Sequence, residues 1–295
     1  MYSYILLLFI LIIIICFILF SNKIGSNEIG GKGGNENKIK TGGNGMKSIR
    51  DEFYKYYDRH GYKEVGEVDV EKEINSMVFA SLGVKKELLG YKYKKYKFMD
   101  VSVITNKPEV VPVVYALAKS LRIDPDINYY LLLSGQKKII SNREINSAEY
   151  HPNTKSVFVF REEEWVKTLI HEMMHSRFGK KYKDMGCPDE AIVETMAQYI
   201  NCAIADGDWN REIEFGLGQS AKVIELFGKD SPAYEYHYIS TLFKLHITDF
   251  LHAIKTDNFS FFKNYYQLTQ PKQPTLPHPN RFTSTLRMSI TEFNF

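Results

Sequence analysis

The sequence predicts an α+β fold behind one N-terminal transmembrane helix. Three observations carry this prediction. Strand-like runs concentrate between residues 98 and 160, helical spacing predominates from 161 to 268, and residues 5–20 are apolar without interruption. Short apolar runs bounded by turn residues read as strands, whereas apolar residues at i, i+3 and i+4 read as helix. No internal repeat is evident, and residues 47–295 suffice for a sizeable core.

Residues 1–20 carry no charge. As a helix they would be about 30 Å long, the thickness of a hydrocarbon core. A signal peptide would want a basic start and small residues before a cleavage site. This chain opens Met-Tyr-Ser-Tyr, and Ile18-Leu19-Phe20 offers no such site, so an uncleaved single-pass anchor is expected. Residues 21–46 read as a linker: eight glycines and five asparagines within 21–45 cannot build a core. Between residues 21 and 50 stand six basic residues and two acidic ones, which by the positive-inside rule places the following domain on the cytoplasmic side. The opposite orientation stays open.

The chain carries a net charge of +3, and the basic linker accounts for it, because 32 basic residues face 33 acidic ones from residue 51 onward. A nucleic-acid-binding face therefore has no support in composition. Only the basic and aromatic run at residues 91–97 (YKYKKYK) invites it, and a solvated edge strand is the plainer reading.

In the N-terminal part of the domain, residues 47–160, helices are expected over 48–60 and 70–82. A strand over 98–106 precedes a helix over 109–121, with Pro112 in its first turn, where proline is tolerated. A buried strand follows over 129–134. Residues 148–160 (AEYHPNTKSVFVF) read as a hairpin turning at 151–154, with His151 a surface residue of that turn.

The second part, residues 161–295, begins with REEEWVKTLIHEMMHSRFGKK, in which His171-Glu172-Met173-Met174-His175 is the pattern H-E-x-x-H. On a helix, positions i and i+4 share a face, so both imidazoles can address one ion, with Glu172 beside that face. Glu162, Glu163 and Glu164 suit the start of this helix, Lys180 and Lys181 its last turn, and Gly179 its stop. Apolar residues on most other sides mark the helix as buried.

Residues 186–200 (GCPDEAIVETMAQYI) predict a second helix, on which Glu190 and Glu194 again stand at i and i+4. Two carboxylates on a largely apolar helix call for a cationic partner. A catalytic zinc site with two histidines lacks one protein ligand, which Glu190 can supply while Glu194 accepts the other ring N–H of a ligand histidine. The plainer readings are hydrogen-bonded core histidines and a solvated glutamate pair.

Residues 171–175 followed by Asp189-Glu-Ala-Ile-Val-Glu194 resemble the gluzincin metallopeptidases, the thermolysin-like clan, over residues 161–200. The resemblance implies a zincin-like catalytic domain: a mixed sheet with an edge strand, an active-site helix and a helical C-terminal half. It implies Zn2+ held by His171, His175 and Glu190, with Glu172 as general base and Glu194 supporting a histidine. His175 stands 15 residues before Glu190, a shorter interval than in several gluzincins, and 19 before Glu194, a spacing that some branches use, so Glu194 remains a rival ligand. The longer metzincin pattern fails at Phe178 and Lys181. The resemblance also implies a peptide or protein substrate, paired with an edge strand just before the metal helix; the return strand at 157–160 is the candidate. A Tyr or His from the C-terminal half is implied to stabilise the oxyanion, and Tyr236, His237 and Tyr238 are candidates, His237 foremost.

Helices are expected over 211–227, 233–253 and 258–268, then an extended tail from residue 270. Cys187 and Cys202 lie too far apart along a continuous helix for a disulfide, about 20 Å. The sequence therefore predicts a membrane-anchored zinc metallopeptidase. The alternatives are a tethered, non-catalytic zinc domain that binds a peptide or protein, and a structural membrane protein whose motif is coincidental.

Overall fold

A computed structural model describes residues 43–58, 61–138, 146–228, 233, 235–265, 276 and 287–293. The chain forms a mixed α and β structure around a six-stranded sheet. Helix α1 (Gly43–Tyr57) leads to β1 (Lys63–Val68), α2 (Glu71–Ser76), α3 (Leu82–Leu88), β2 (Tyr93–Phe98) and β3 (Val101–Thr105). A 3-10 turn at Pro108–Val110 enters α4 (Val111–Ser120), followed by β4 (Asn128–Ser134), β5 (Ala148–His151) and β6 (Ser156–Arg161).

The strand order is β1-β2-β3-β4-β6-β5, with β3, β4 and β6 parallel and the other neighbours antiparallel. Every residue of β6 is buried. Val157 and Val159 face one core with α1, α4 and the helix that follows β6; Phe158 and Phe160 face a second, with Ile74, Val84 and Leu88 of α2 and α3. A parallel strand covered on both faces reads as a continuous apolar run, which is why VFVF shows no alternation.

The helical half comprises α5 (Trp165–Met174), a π turn at His175–Gly179, α6 (Lys180–Asp184), α7 (Asp189–Ile204) and α8 (Trp209–Phe227). A second π turn at Glu235–Ile239 precedes α9 (Ser240–Leu245), α10 (Ile247–Thr256) and α11 (Phe259–Lys263). All ten residues of α5 are buried. Leu169, Ile170 and Met173 of α5 join Val193 and Ala197 of α7 in the main core, each large apolar side chain contributing roughly 1.5–3 kcal/mol on burial.

Several expectations change. The single-pass membrane localisation is corrected, because among the described residues no helix is long and apolar enough to cross a membrane. Residues 1–20, on which that expectation rested, and 21–42 of the linker lie outside the described residues. Hydropathy measures a transfer free energy; it does not by itself make a folded span. Helix α1 begins at Gly43, inside the stretch read as linker, since Gly45 is buried and Met46 and Ile49 pack against the C-terminal helices.

The basic and aromatic run is an interior strand, β2, whose Tyr93 and Tyr96 are buried in the two different cores. The return strand at 157–160 is also interior, and the sheet edge belongs to its hairpin partner β5. Residues 70–82 form only α2 and then an irregular stretch before Ser81 caps α3. Cys187 and Cys202 are buried free thiols.

Candidate metal centre

The helix bearing His171 does not stop at Gly179. It widens into the π turn and continues through α6, ending where Gly186 turns left-handed at φ 65°. There Gly186 N–H donates to the Lys183 carbonyl and Cys187 N–H to the Tyr182 carbonyl, the pairing of a Schellman cap. Single π turns within α-helices occur frequently at functional sites. This one begins at His175 and needs glycine at its end, because a Cβ on Gly179 would lie 2.8 Å from His175 Nδ1.

The structure brings His171, His175 and Glu190 together, one donor atom from each within 4.8 Å of the others. His171 Nε2 and His175 Nε2 are 2.9 Å apart; Glu190 Oε2 lies 3.0 Å from the latter and 3.5 Å from the former. Tetrahedral zinc with bonds of about 2.0–2.1 Å separates its donors by roughly 3.3 Å. The arrangement matches that spacing on all three sides.

Glu194 lies on the other side of the His171 ring. Its Oε2 accepts from Nδ1 at 2.7 Å, which leaves the Nε2 lone pair facing His175 and Glu190. The buried Lys167 ammonium donates to both Glu194 oxygens, at 3.0 and 3.2 Å, and Gln198 Nε2 donates to Oε1. Glu172 is buried on the same helix. Burial pushes its carboxyl up and Glu190 adds to that, against the lowering influence of His171, His175 and Lys167.

Burial opposes charging of His171, yet its bonds to Glu190 and Glu194 raise it to about 9. Burial likewise opposes ionisation of Glu190 and Glu194, and the histidines and Lys167 outweigh it, holding both carboxyls far below their usual range. Metal ligation needs both imidazoles neutral, and two imidazoles with one carboxylate are a donor set that suits zinc.

Tyr236, on the second π turn, stacks on His171 with ring centroids 5.8 Å apart, and its hydroxyl hydrogen-bonds Glu190. Burial and the surrounding carboxylates keep this phenol protonated, well above its ordinary pKa. His237 is placed differently. It is buried and driven down to about 3 by burial, with Glu194, Lys138, Lys167 and Lys244 as the charges acting on it. Of the two, Tyr236 is the residue set against the His171, His175 and Glu190 group. Tyr238 is buried in the C-terminal aromatic core. His151 lies apart in the hairpin, 2.9 Å from Glu149.

The three glutamates stand at the start of α5 as expected, with Glu164 its N-cap residue, and their side chains have partners elsewhere. Glu164, left-handed at φ 59°, turns inward, accepting from Lys138 Nζ at 2.9 Å and from the backbone N–H of Met288 and Ser289. Lys167 and Gln198 are functional candidates that pattern reading passed over. The available signal was their spacing, each four residues from a singled-out residue on its own helix.

Comparison with protein-family models, curated proteins and solved structures returned no match. The chemistry of the centre therefore rests on its own residues.

Gly179→Ala tests the close approach at His175. Alanine favours helix over glycine by about 1 kcal/mol, so the metal-free chain is expected to melt no lower. The displaced imidazole is expected to weaken zinc binding about tenfold or more. Thermal melts and zinc titrations separate the two effects; unchanged affinity would show that the ring accommodates the methyl.

Proposed function

We propose that this chain is a zinc-dependent peptide hydrolase with a zincin-like catalytic domain. The observation that carries this reading is the convergence of His171, His175 and Glu190 beside the buried carboxyl of Glu172, with Glu194 orienting His171. His171, His175 and Glu190 would hold the ion. Bound there, Zn2+ supplies Lewis acidity and lowers the pKa of water to about 7.

The remaining work falls to side chains. Glu172 accepts the proton of the attacking water and returns it to the leaving amine, the task of a carboxyl whose environment raises its proton affinity. The Tyr236 hydroxyl, kept protonated, donates to the oxyanion that develops on the carbonyl. Strand β5 at the sheet edge offers backbone groups to an extended peptide or protein segment by strand addition. A non-catalytic zinc module that binds a peptide would require neither the buried Glu172 nor the protonated Tyr236.

The test is metal analysis of the full chain together with cleavage of a mixed peptide library. About one zinc per chain is expected, with cleavage lost to a chelator and restored by equimolar zinc. A folded chain that takes up no zinc on supplementation would sink the proposal. Zinc without cleavage would favour the binding module.

A further inference from the structure

Lys167 is a lysine with 4 % of its side chain exposed, in the middle of the protein and on no surface of the metal-binding group itself. We propose that Lys167 is a positioning residue for the ligand His171, acting through Glu194. The inference rests on the zinc reading above and adds a residue to it.

Geometry carries the argument. Lys167 and His171 stand at i and i+4 on α5; Glu194 and Gln198 stand at i and i+4 on α7. The two helices pack face to face, so these side chains close a ring across the interface. Glu194 Oε1 receives Lys167 and Gln198, and Oε2 receives Lys167 and His171 Nδ1. A carboxylate held by donors at both oxygens has no freedom to rotate. Its fixed plane aims Oε2 at the imidazole, sets the ring's tautomer and orientation, and turns Nε2 toward the ion.

Charge explains why a lysine stands there. Glu164, Glu172 and Glu194 all act on its ammonium, and Glu194 is fully buried. Take Lys167 away and Glu194 keeps only a neutral amide and the imidazole N–H, too little for a carboxylate without solvent. The carboxylate then turns toward other donors, and His171 loses its fixed acceptor. Outer partners of this kind change metal affinity by roughly 10–100-fold.

The experiment measures zinc dissociation constants by chelator competition on the full chain. It compares the parent with Lys167→Met, Lys167→Arg, Glu194→Gln and the double variant Lys167→Met/Glu194→Gln. Visible absorption of the Co2+-loaded proteins reports ligand geometry. Lys167→Met is expected to weaken zinc by roughly 10–100-fold and alter the Co2+ bands, with Lys167→Arg recovering most of the affinity. The double variant is expected to bind no more weakly than Glu194→Gln alone, because both changes break one linkage.

Parental affinity in Lys167→Met, or losses that add in the double variant, would overturn the proposal. If Lys167→Met does not fold, Lys167→Gln against Lys167→Arg carries the same comparison, and equal affinity in those two overturns it. A parent that binds no zinc removes the zinc reading itself. A parent that binds zinc tightly beside unaffected variants removes only the role of Lys167.

Discussion

Glu190→Ala is expected to abolish stoichiometric zinc binding in a chain that still folds. Glu190 lies in the first turn of α7 with 31 % of its side chain exposed, so its truncation opens no cavity in either core. What it removes is the oxygen that stands 3.0 and 3.5 Å from the two imidazole Nε2 atoms. Two histidines alone make a poor zinc site. Glu194 cannot move in to replace the lost ligand, since its oxygens hold His171 Nδ1 and Lys167 on the far side of the ring. Glu194→Ala should accordingly retain zinc, with affinity about 10–100-fold weaker. Metal content of the parent and both variants decides between the candidates. Loss confined to Glu194→Ala would move the third ligand one turn along the helix.

Local spacing was what the sequence could show, and it sufficed for much of the site. H-E-x-x-H and the Glu190/Glu194 pair are i, i+4 relations; the first runs from α5 into the π turn that begins at His175, and the second lies within α7. The buried hairpin of β5 and β6 was equally legible, because its turn residues and apolar run are contiguous. Gly179 misled because glycine near a helix end commonly marks a stop. Here its small size makes room for His175, a requirement visible only once the ring is placed. Glu164 stands at the helix start as expected, but its side-chain partners Met288 and Ser289 stand more than a hundred residues along the chain, out of reach of local pattern. Strand order is likewise a long-range property, so neither the interior place of β2 nor the assignment of the edge to β5 could be read from local pattern. Lys167 drew no reading from local pattern, because its partner Glu194 comes from α7.

Glu172→Gln is expected to lower kcat by about 10²–10⁴-fold while leaving about one zinc per chain. Glutamine keeps the size and shape of the side chain, so the packing of a residue 8 % exposed is undisturbed. His171, His175 and Glu190 are untouched, and Glu194 still fixes the His171 ring. The single property lost is the ability to accept a proton beside the metal-binding group. The surroundings of Glu172 favour that task, since burial first and then Glu190 raise its proton affinity above that of an ordinary glutamate. Turnover numbers paired with metal content on the same preparation give the answer. Low turnover with zinc retained assigns the proton transfer to Glu172. Turnover at the parental level would refute it as the base, and loss of zinc together with turnover would make it a structural support of the site instead.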